Sequence, residues 1–459
     1  MTWIVVGAGS AGCVVARRLL DAGEDVVVVE SGPSFGPDDD RPEVSGPDSF
    51  AALVDERLEP GLVATRVAGA RPTPYLRGRG VGGSSVVNGM IALDADPVLY
   101  ADWGWHDAVA ASARVLVPVE VPGPDEIGEV GAAVARAAPD ARVPPLTRRA
   151  GRRVTSAEAY LWPVLDHERL RLVTDTVVDR IALDRTDSTT ARAAGVVTAA
   201  GDRIAGDRVV VCAGAIHSPA ILLRSHCAPE GTGAGLQDHP AAAVLLDLVP
   251  HARATEPLGL AATALIERDP IQILALDHLG RPDGPGMVMV ADMRPTSSAG
   301  RVSLRSDDPA DPPIVDFALF DDPGDLAVLR DGVRQVLHLL DHPDLSAIVR
   351  DAFVDDRGTT VDALRTDDDV DGWLLDRGAD YVHAAGTCAM GRVVDGDGAV
   401  RGVDEVFVVD ASVFPHVPDV NTHLPTTVLA ERLVARWVRA GRAGQAGRRD
   451  RIPRTPEET

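Results

Sequence analysis

The fold is decided by residues 3–30, WIVVGAGSAGCVVARRLLDAGEDVVVVE. Residues 3–6 are a short, wholly apolar run of the kind that makes a buried strand. Residues 10–22 carry apolar positions at helical spacing, and 26–30 return to an apolar strand. This order predicts a β-α-β unit with a parallel pair, of the doubly wound kind. Between strand and helix stands Gly7-Ala8-Gly9-Ser10-Ala11-Gly12. Gly7 permits the tight turn, Gly9 lets backbone approach a pyrophosphate, and Gly12 allows close helix packing. The phosphates would lie on the free N–H groups at the helix start, at Ser10 and Ala11. Glu30 ends the second strand, where a carboxylate meets adenosine ribose hydroxyls. An acid there disfavours a 2′-phosphate, so FAD or NAD is expected over NADP.

Outward from this unit, residues 33–74 are rich in Pro, Gly and acids and read mostly as loop with one short helix. A glycine-dense segment follows, LRGRGVGGSSVVNGM at 76–90. Residues 107–150 read as alanine-rich helices around the turn PVEVPGPDE. From 170 to 212, LRLV, TVVDRIAL, AAGVVTA and DRVVVCAG predict a small antiparallel insert leading back into a parallel strand. Alternating apolar segments and turns over 240–320 predict a separate antiparallel sheet, and 325–350 a helix. EVFVVD (405–410) is a last buried strand and 425–440 a helix. The expected fold class is α/β: a discontinuous doubly wound, Rossmann-like domain of residues 1–95, 155–238 and 378–445, with a mainly antiparallel-sheet substrate or cap domain of 96–154 and 239–377. Residues 446–459 are polar and expected to be a disordered tail.

At 459 residues, 45% of them hydrophobic, the chain can bury a real interior and is not a disordered polypeptide. It contains no lysine, so all 45 basic residues are arginine, and 69 acidic residues leave a net charge of −24. That excludes a lysine Schiff base and a Walker A site, and argues against nucleic acid as a partner. The four cysteines, Cys13, Cys212, Cys227 and Cys388, form no CxxC pair. Neither a disulfide framework nor a metal site is expected. No signal segment or membrane-spanning run is read, so a cytoplasmic protein is expected, with peripheral membrane contact left open.

Several segments together resemble the glucose-methanol-choline (GMC) family of FAD-dependent oxidoreductases. They are VVGAGSAGCVVARRL (5–19), RGRGVGGSSVVNGM (77–90), VVVCAGAIHSPAILLRS (209–225), HAAGTCAMG (383–391), VVDASVFP (408–415) and NTHLPTT (421–427). The resemblance implies that the segment from Arg77 through Gly82, Gly83 and Ser84 to Met90 runs along the flavin, with Asn88 near the ring. On the residues alone, Ser84 and Ser85 also read as turn caps. Some members attach FAD covalently through a histidine just before that asparagine; Val87 stands there, which implies non-covalent FAD. Val178 falls on the position whose backbone meets adenine. Gly214, with Ala215, Ser218 and Pro219, falls on a turn beside the cofactor. Asp410 and Ala411 would hold ribityl or phosphate oxygens, although Asp410 also reads as a capping residue. Asn421 falls on a turn or flavin contact, while Pro425 and Thr426 start the last helix, whose N–H groups would face the flavin N1–C2=O edge.

Oxidising an alcohol requires loss of a hydroxyl proton and transfer of a hydride, and histidine is the base best suited to neutral pH. Among twelve histidines, the resemblance selects His383 as base and His423 as the second catalytic residue, orienting the alcohol oxygen. Without it, either reads as a structural or surface residue. His416 reads as a substrate contact or a surface residue, and Cys388 as packing. With 4% aromatic residues, a strongly aromatic tunnel is disfavoured; Tyr100, Trp103, Trp105 and Tyr381 are the candidates to line one. The segment before TSAEAYLWP (155–163) is shorter than in many relatives, which implies a reduced lid. The expected partners are an alcohol-type substrate and oxygen, a quinone or a protein as electron acceptor. A narrower resemblance, to actinobacterial members associated with mycofactocin, implies reduced mycofactocin as donor with a non-oxygen acceptor. The alternatives are an oxygen-using alcohol oxidase that makes hydrogen peroxide, a lyase of hydroxynitrile type, and a non-enzymatic flavin-fold protein.

Overall fold

A computed structural model describes residues 1–36, 45–185, 190–297 and 299–449. Its central sheet is built from β1 (Thr2–Val6), β2 (Asp25–Val29), β3 (Leu170–Val173), β4 (Arg208–Val211) and β5 (Val406–Val408), in the order β5-β4-β1-β2-β3. Every pairing is parallel. One register row crosses the whole sheet: Phe407, Val210, Val5, Val28 and Leu172. A parallel sheet has both faces covered, which is why these strands are near-continuous valine. Each fully buried valine contributes about 1.5–3 kcal/mol relative to exposure. Helix α1 (Ser10–Asp21) packs on α3 (His423–Arg449), and α2 (Gly214–Arg224) follows β4 directly.

LRLV is a difference from the sequence expectation. It joins the parallel sheet as β3 instead of opening the antiparallel insert. As an edge strand it is only half-buried, so its polar–apolar alternation looks like that of an antiparallel strand. The insert proper is Val178–Asp184, Ala191–Thr198 and Arg203–Ala205, which are antiparallel to one another.

A second sheet is wholly antiparallel, in the order Ala262–Arg268, Ile271–Leu276, Gly286–Asp292, Ala241–Leu248, Val349–Phe353. Helix Pro323–Leu340 lies across it through Leu329, Val333 and Val336. Gly332 permits the contact: a Cβ there would stand 2.8 Å from Val290 Cγ2. The two sheets have separate apolar cores. Tyr100, Trp105, Ala108 and Val117, from the segment assigned by sequence to the cap, pack in the first core. Leu62, Ala64 and Tyr75 pack in the second. The last helix continues to Arg449, and 450–459, most of the expected tail, lie outside the described residues. Among the described residues, no helix is long and apolar enough to cross a membrane.

Candidate active site

The loop between β1 and α1 is shaped by contacts that only glycine allows. Gly7 has φ +98° and a Cβ there would meet Cys212 O at 2.6 Å, while one on Gly12 would lie 1.9 Å from Gly7 O. At Gly9 the nearest such atom is Gly83 Cα, 3.9 Å away, so space remains in front of the helix. No side chain caps α1, which leaves its first N–H groups, at Ser10 and Ala11, for an anion. The second glycine segment seats directly on this loop: Gly82 N–H donates to Ala8 O at 2.8 Å. Gly83 has φ +51°, and its Cβ would be 2.7 Å from Gly9 Cα. Glu30 joins the two segments. It accepts N–H bonds from Ala8 (2.8 Å), Gly32 (2.9 Å) and Gly80 (3.1 Å), an internal role that the sequence reading did not include.

The remaining sequence-selected residues are held mostly by bonds within their own segments. Asp410 accepts from Gly214 N–H at 2.9 Å, Ser218 Oγ at 2.5 Å and Ser412 N–H at 2.8 Å. It thereby caps the turn through Ala411 and ties it to α2; burial pushes its carboxyl pKa up. Gly214 has φ +77° and open space where a Cβ would stand. Ser84 Oγ accepts from Gly78 N–H, and Ser85 Oγ donates to Gly82 O, so both serines hold the segment's own turns. Asn88 Oδ1 accepts from Met90 N–H at 3.1 Å, and Met90 has φ +62°. Val178 is buried at the start of its strand, near the end of β2, where Thr176 N–H donates to Glu30 O. Thr426 Oγ1 donates to Thr422 O at 2.8 Å, and Pro425 lies beside it in the first turn of α3, which opens at His423.

His383 does not pair with His423. Its Nε2 faces the amide Nδ2 of Asn421 at 3.5 Å, and its Nδ1 lies 2.8 Å from Nδ1 of His239. His423 Nδ1 lies instead 3.2 Å from Ser10 Oγ, at the glycine loop. The reason is helical phase: Asn421 precedes α3, whereas His423 is its first residue and turns toward α1. Asp238 fixes the chain around His383. It accepts from the N–H groups of His383 (2.7 Å), Tyr381 (3.1 Å) and His239 (2.8 Å) and from Tyr75 Oη (3.0 Å). Burial and Asp380 push its pKa up, and those donors work against the rise. Val382, just before His383, has φ +57°, a strained conformation for a β-branched residue. Its carbonyl accepts from Arg77 Nη1 at 2.6 Å. Burial, then His239 and Arg77, lower the His383 pKa well below the usual value, so the ring is neutral.

Asp238, His239 and His383 have the spacing of a metal-ligand group. The two Nδ1 atoms lie 2.8 Å apart, at hydrogen-bond separation. His239, Asp238 and Arg153 were not selected from sequence. The DHP tripeptide at 238–240 lies between a short strand and the second sheet and carries no periodic signal. Arg153 is buried and donates Nη1 to Asn88 O and Oδ1, both at 2.8 Å. Burial brings its guanidinium down to about 10. Burial and the nearby Arg153 charge bring His423 down to about 4. Four buried polar atoms here have no partner: Arg153 Nε and Nη2, Asn421 Oδ1 and His423 Nε2. Unsatisfied donors and acceptors in front of an uncapped helix and an open glycine loop suit a large, polar, anionic cofactor such as FAD.

Of the aromatic candidates only Tyr381 reaches this place, edge-on to His383 with centroids 5.0 Å apart. Tyr100, Trp103 and Trp105 form a cluster with Phe414, in which Trp103 Nε1 donates to His416 Nε2 at 2.7 Å. His416 is thus a surface member of that cluster. Cys388 is buried without a disulfide partner.

His239 yields a pH prediction. It is fully buried, and burial lowers its pKa from 6.5 to about 4. A depressed folded pKa means the unfolded chain binds the proton first. The contribution is present in full above about pH 6.5 and is lost as pH falls toward 4. Raised carboxylates such as Asp238 and Asp410 act in the opposite direction, so the clean measure is a difference. By urea unfolding, His239→Asn should gain about 1–2 kcal/mol relative to wild type between pH 7 and pH 5. A constant difference between the two proteins would contradict a neutral, buried His239.

The family model described as GMC oxidoreductase matches residues 140–241 in its N-terminal part and 295–430 in its C-terminal part, together more than half of the chain. An oxygen-dependent choline dehydrogenase of Ectopseudomonas mendocina (strain ymp) is 28% identical, over 95% of this chain and 93% of the relative. A 5-(hydroxymethyl)furfural oxidase of Methylovorus sp. (strain MP688) is also 28% identical, over 94% of this chain and 97% of the relative. Among solved structures, a formate oxidase of Aspergillus oryzae RIB40, studied for modification of its FAD, has the same fold. Its TM-score is 0.85 at 19% identity, over 96% of this chain and 98% of that one.

Proposed function

Because the chain belongs to the GMC oxidoreductase family, we propose that it oxidises the CH–OH group of an alcohol-type donor with FAD as cofactor. The observation that carries this reading is the largely buried, neutral His383, whose Nε2 faces the amide of Asn421 at 3.5 Å. A hydroxyl between them would donate its proton to Nε2 and accept from Asn421 Nδ2. His383 is therefore the base, and Asn421, in place of His423, orients the oxygen. FAD, when bound, supplies the hydride acceptor. Ser10, Ala11 and Gly83 would hold its pyrophosphate at the N-terminus of α1. Arg153 and the first turn of α3 would offer N–H groups to the developing negative charge. Val87 has no nucleophilic atom, which supports a non-covalent cofactor.

The alignment with the choline dehydrogenase extends over 551 positions, against 459 residues in this chain, so segments of that relative have no counterpart here. A reduced lid suits a bulky donor. Reduced mycofactocin, passing its electrons on to an acceptor other than oxygen, is the specific donor we propose.

Anaerobic mixing of the purified yellow protein with primary alcohols, aryl alcohols, choline and reduced mycofactocin tests this. At least one should bleach the flavin absorbance, and slow recolouring in air identifies a non-oxygen acceptor. Turnover without bleaching would indicate a lyase and overturn the proposal. With the active donor, Asn421→Ala should lower the bleaching rate by about 10²-fold, the cost of one oxyanion donor. His423→Ala should lower it less. The reverse order would return the oxygen-orienting role to His423.

A further inference from the structure

His239 has no part in any step described so far, yet its ring makes two contacts at hydrogen-bond distance inside the protein, and the Met293 backbone also bears on it. Nε2 lies 2.9 Å from the carbonyl oxygen of Pro418, and Nδ1 lies 2.8 Å from Nδ1 of His383. A carbonyl oxygen has lone pairs and no proton, so Nε2 must be the donor. The ring is fully buried and neutral, and a neutral imidazole has one N–H, here committed to Pro418. Its Nδ1 is therefore a bare lone pair. Two lone pairs at 2.8 Å would repel one another, so the contact is a hydrogen bond only when His383 carries its proton on Nδ1. His383 is neutral as well, and its Nε2 is then unprotonated. That nitrogen is the one beside Asn421.

We propose that His239 is a positioning residue: through the Pro418 carbonyl it holds His383 in the Nδ1–H tautomer and so presents the bare Nε2 to the substrate hydroxyl. This rests on the assignment of His383 as base. When the hydroxyl O–H bond breaks, the proton moves to Nε2 and the bonding electron pair stays on oxygen. The Nδ1–H bond to His239 remains intact, and no other bond between the two histidines changes. The usual orienter of a catalytic histidine is a carboxylate, which adds a full negative charge beside the ring. Here the nearest carboxylate, Asp238, is committed to backbone N–H groups and Tyr75. A neutral imidazole fixes the tautomer without raising the basicity of His383 as a carboxylate would, and the Arg77 charge lowers it further. Tyr381 stands edge-on to both rings, with centroids 6.5 Å from His239 and 5.0 Å from His383, and locks their mutual angle.

The test is ¹⁵N NMR of the FAD-containing protein labelled with ¹⁵N-histidine at pH 7, with His383 assigned by loss of its signals in His383→Gln. The expected result is a protonated-type shift at Nδ1 of His383 and an unprotonated-type shift at Nε2. In His239→Leu the proton should move to Nε2 or divide between the nitrogens. His239→Asn, whose Oδ1 takes the place of Nδ1 as acceptor, should restore the wild-type pattern. Flavin bleaching by the active donor should slow by at least about tenfold in His239→Leu and recover in His239→Asn. A wild-type proton on Nε2 overturns the proposal, and so does an unchanged tautomer in His239→Leu. The wild-type spectrum decides even if the leucine variant does not fold. If the tautomer is as expected but His383→Gln bleaches at the wild-type rate, the tautomer assignment holds and the base assignment fails.

Discussion

Replacing His383 with alanine is expected to slow anaerobic bleaching of the flavin by about 10²–10⁴-fold, the range that a positioned general base contributes. The cofactor should remain bound, because the bonds of the His383 ring run to His239 and Asn421 and none runs to the glycine loop. Some stability will be lost too. The truncation leaves Nδ1 of His239 buried without a partner, a cost of about 1–3 kcal/mol. Two measurements separate this loss from the chemical one. The ratio of flavin to protein absorbance should match wild type, and added imidazole should restore part of the rate by entering the vacated space. Bleaching at an undiminished rate by the active donor would remove His383 from the reaction.

Gly12→Ala is expected to abolish cofactor binding and to lower Tm sharply, whereas Gly9→Ala should leave the fold intact and lose FAD alone. The contrast follows from what each new methyl group meets. At Gly12 it would lie 1.9 Å from the Gly7 carbonyl oxygen, a backbone atom that cannot move without opening the turn. Overpacking of well-packed sites costs about 1–3 kcal/mol, and a backbone clash of this depth lies at or beyond the top of that range. At Gly9 the nearest atom is 3.9 Å away, so the folded chain tolerates the methyl group. It would, however, occupy the approach to the first N–H groups of α1. Thermal unfolding of both variants, with flavin content measured alongside, separates the two. A wild-type Tm in Gly12→Ala would contradict the packing described for the loop.

The glycine loop was legible in sequence because its requirements are local: a valine-rich strand, three glycines at fixed spacing and a helix within thirty residues. Leu170–Val173 was misplaced because an edge strand shows the same alternation in either kind of sheet. At the chemical centre, the sequence pointed to His383 but put His423 beside it. A single residue separates Asn421 from His423, and only the point at which α3 begins decides which of them faces His383. His239 was not legible at all. Its role is set by the Pro418 carbonyl, 179 positions away, and a buried histidine beside a strand looks the same whether its lone pair is used or not. The role of Arg153 likewise exists only once 153 and 88 are brought together.

The central sheet has one further consequence, for biosynthesis. Its strands come from residues 2–6, 25–29, 170–173, 208–211 and 406–408, and β5 pairs with β4 across nearly two hundred residues. A nascent chain emerging from the ribosome therefore exposes the glycine loop early. It gains Asp410, Asn421 and α3 only when synthesis is almost finished. Long-range parallel pairing is slow, and the unpaired edge of β4 stays open to other chains meanwhile. A site that uses Asp410, Asn421 and α3 is therefore complete only at the end of synthesis, and a ribosome stalled before residue 406 leaves the edge of β4 open to aggregation or proteolysis.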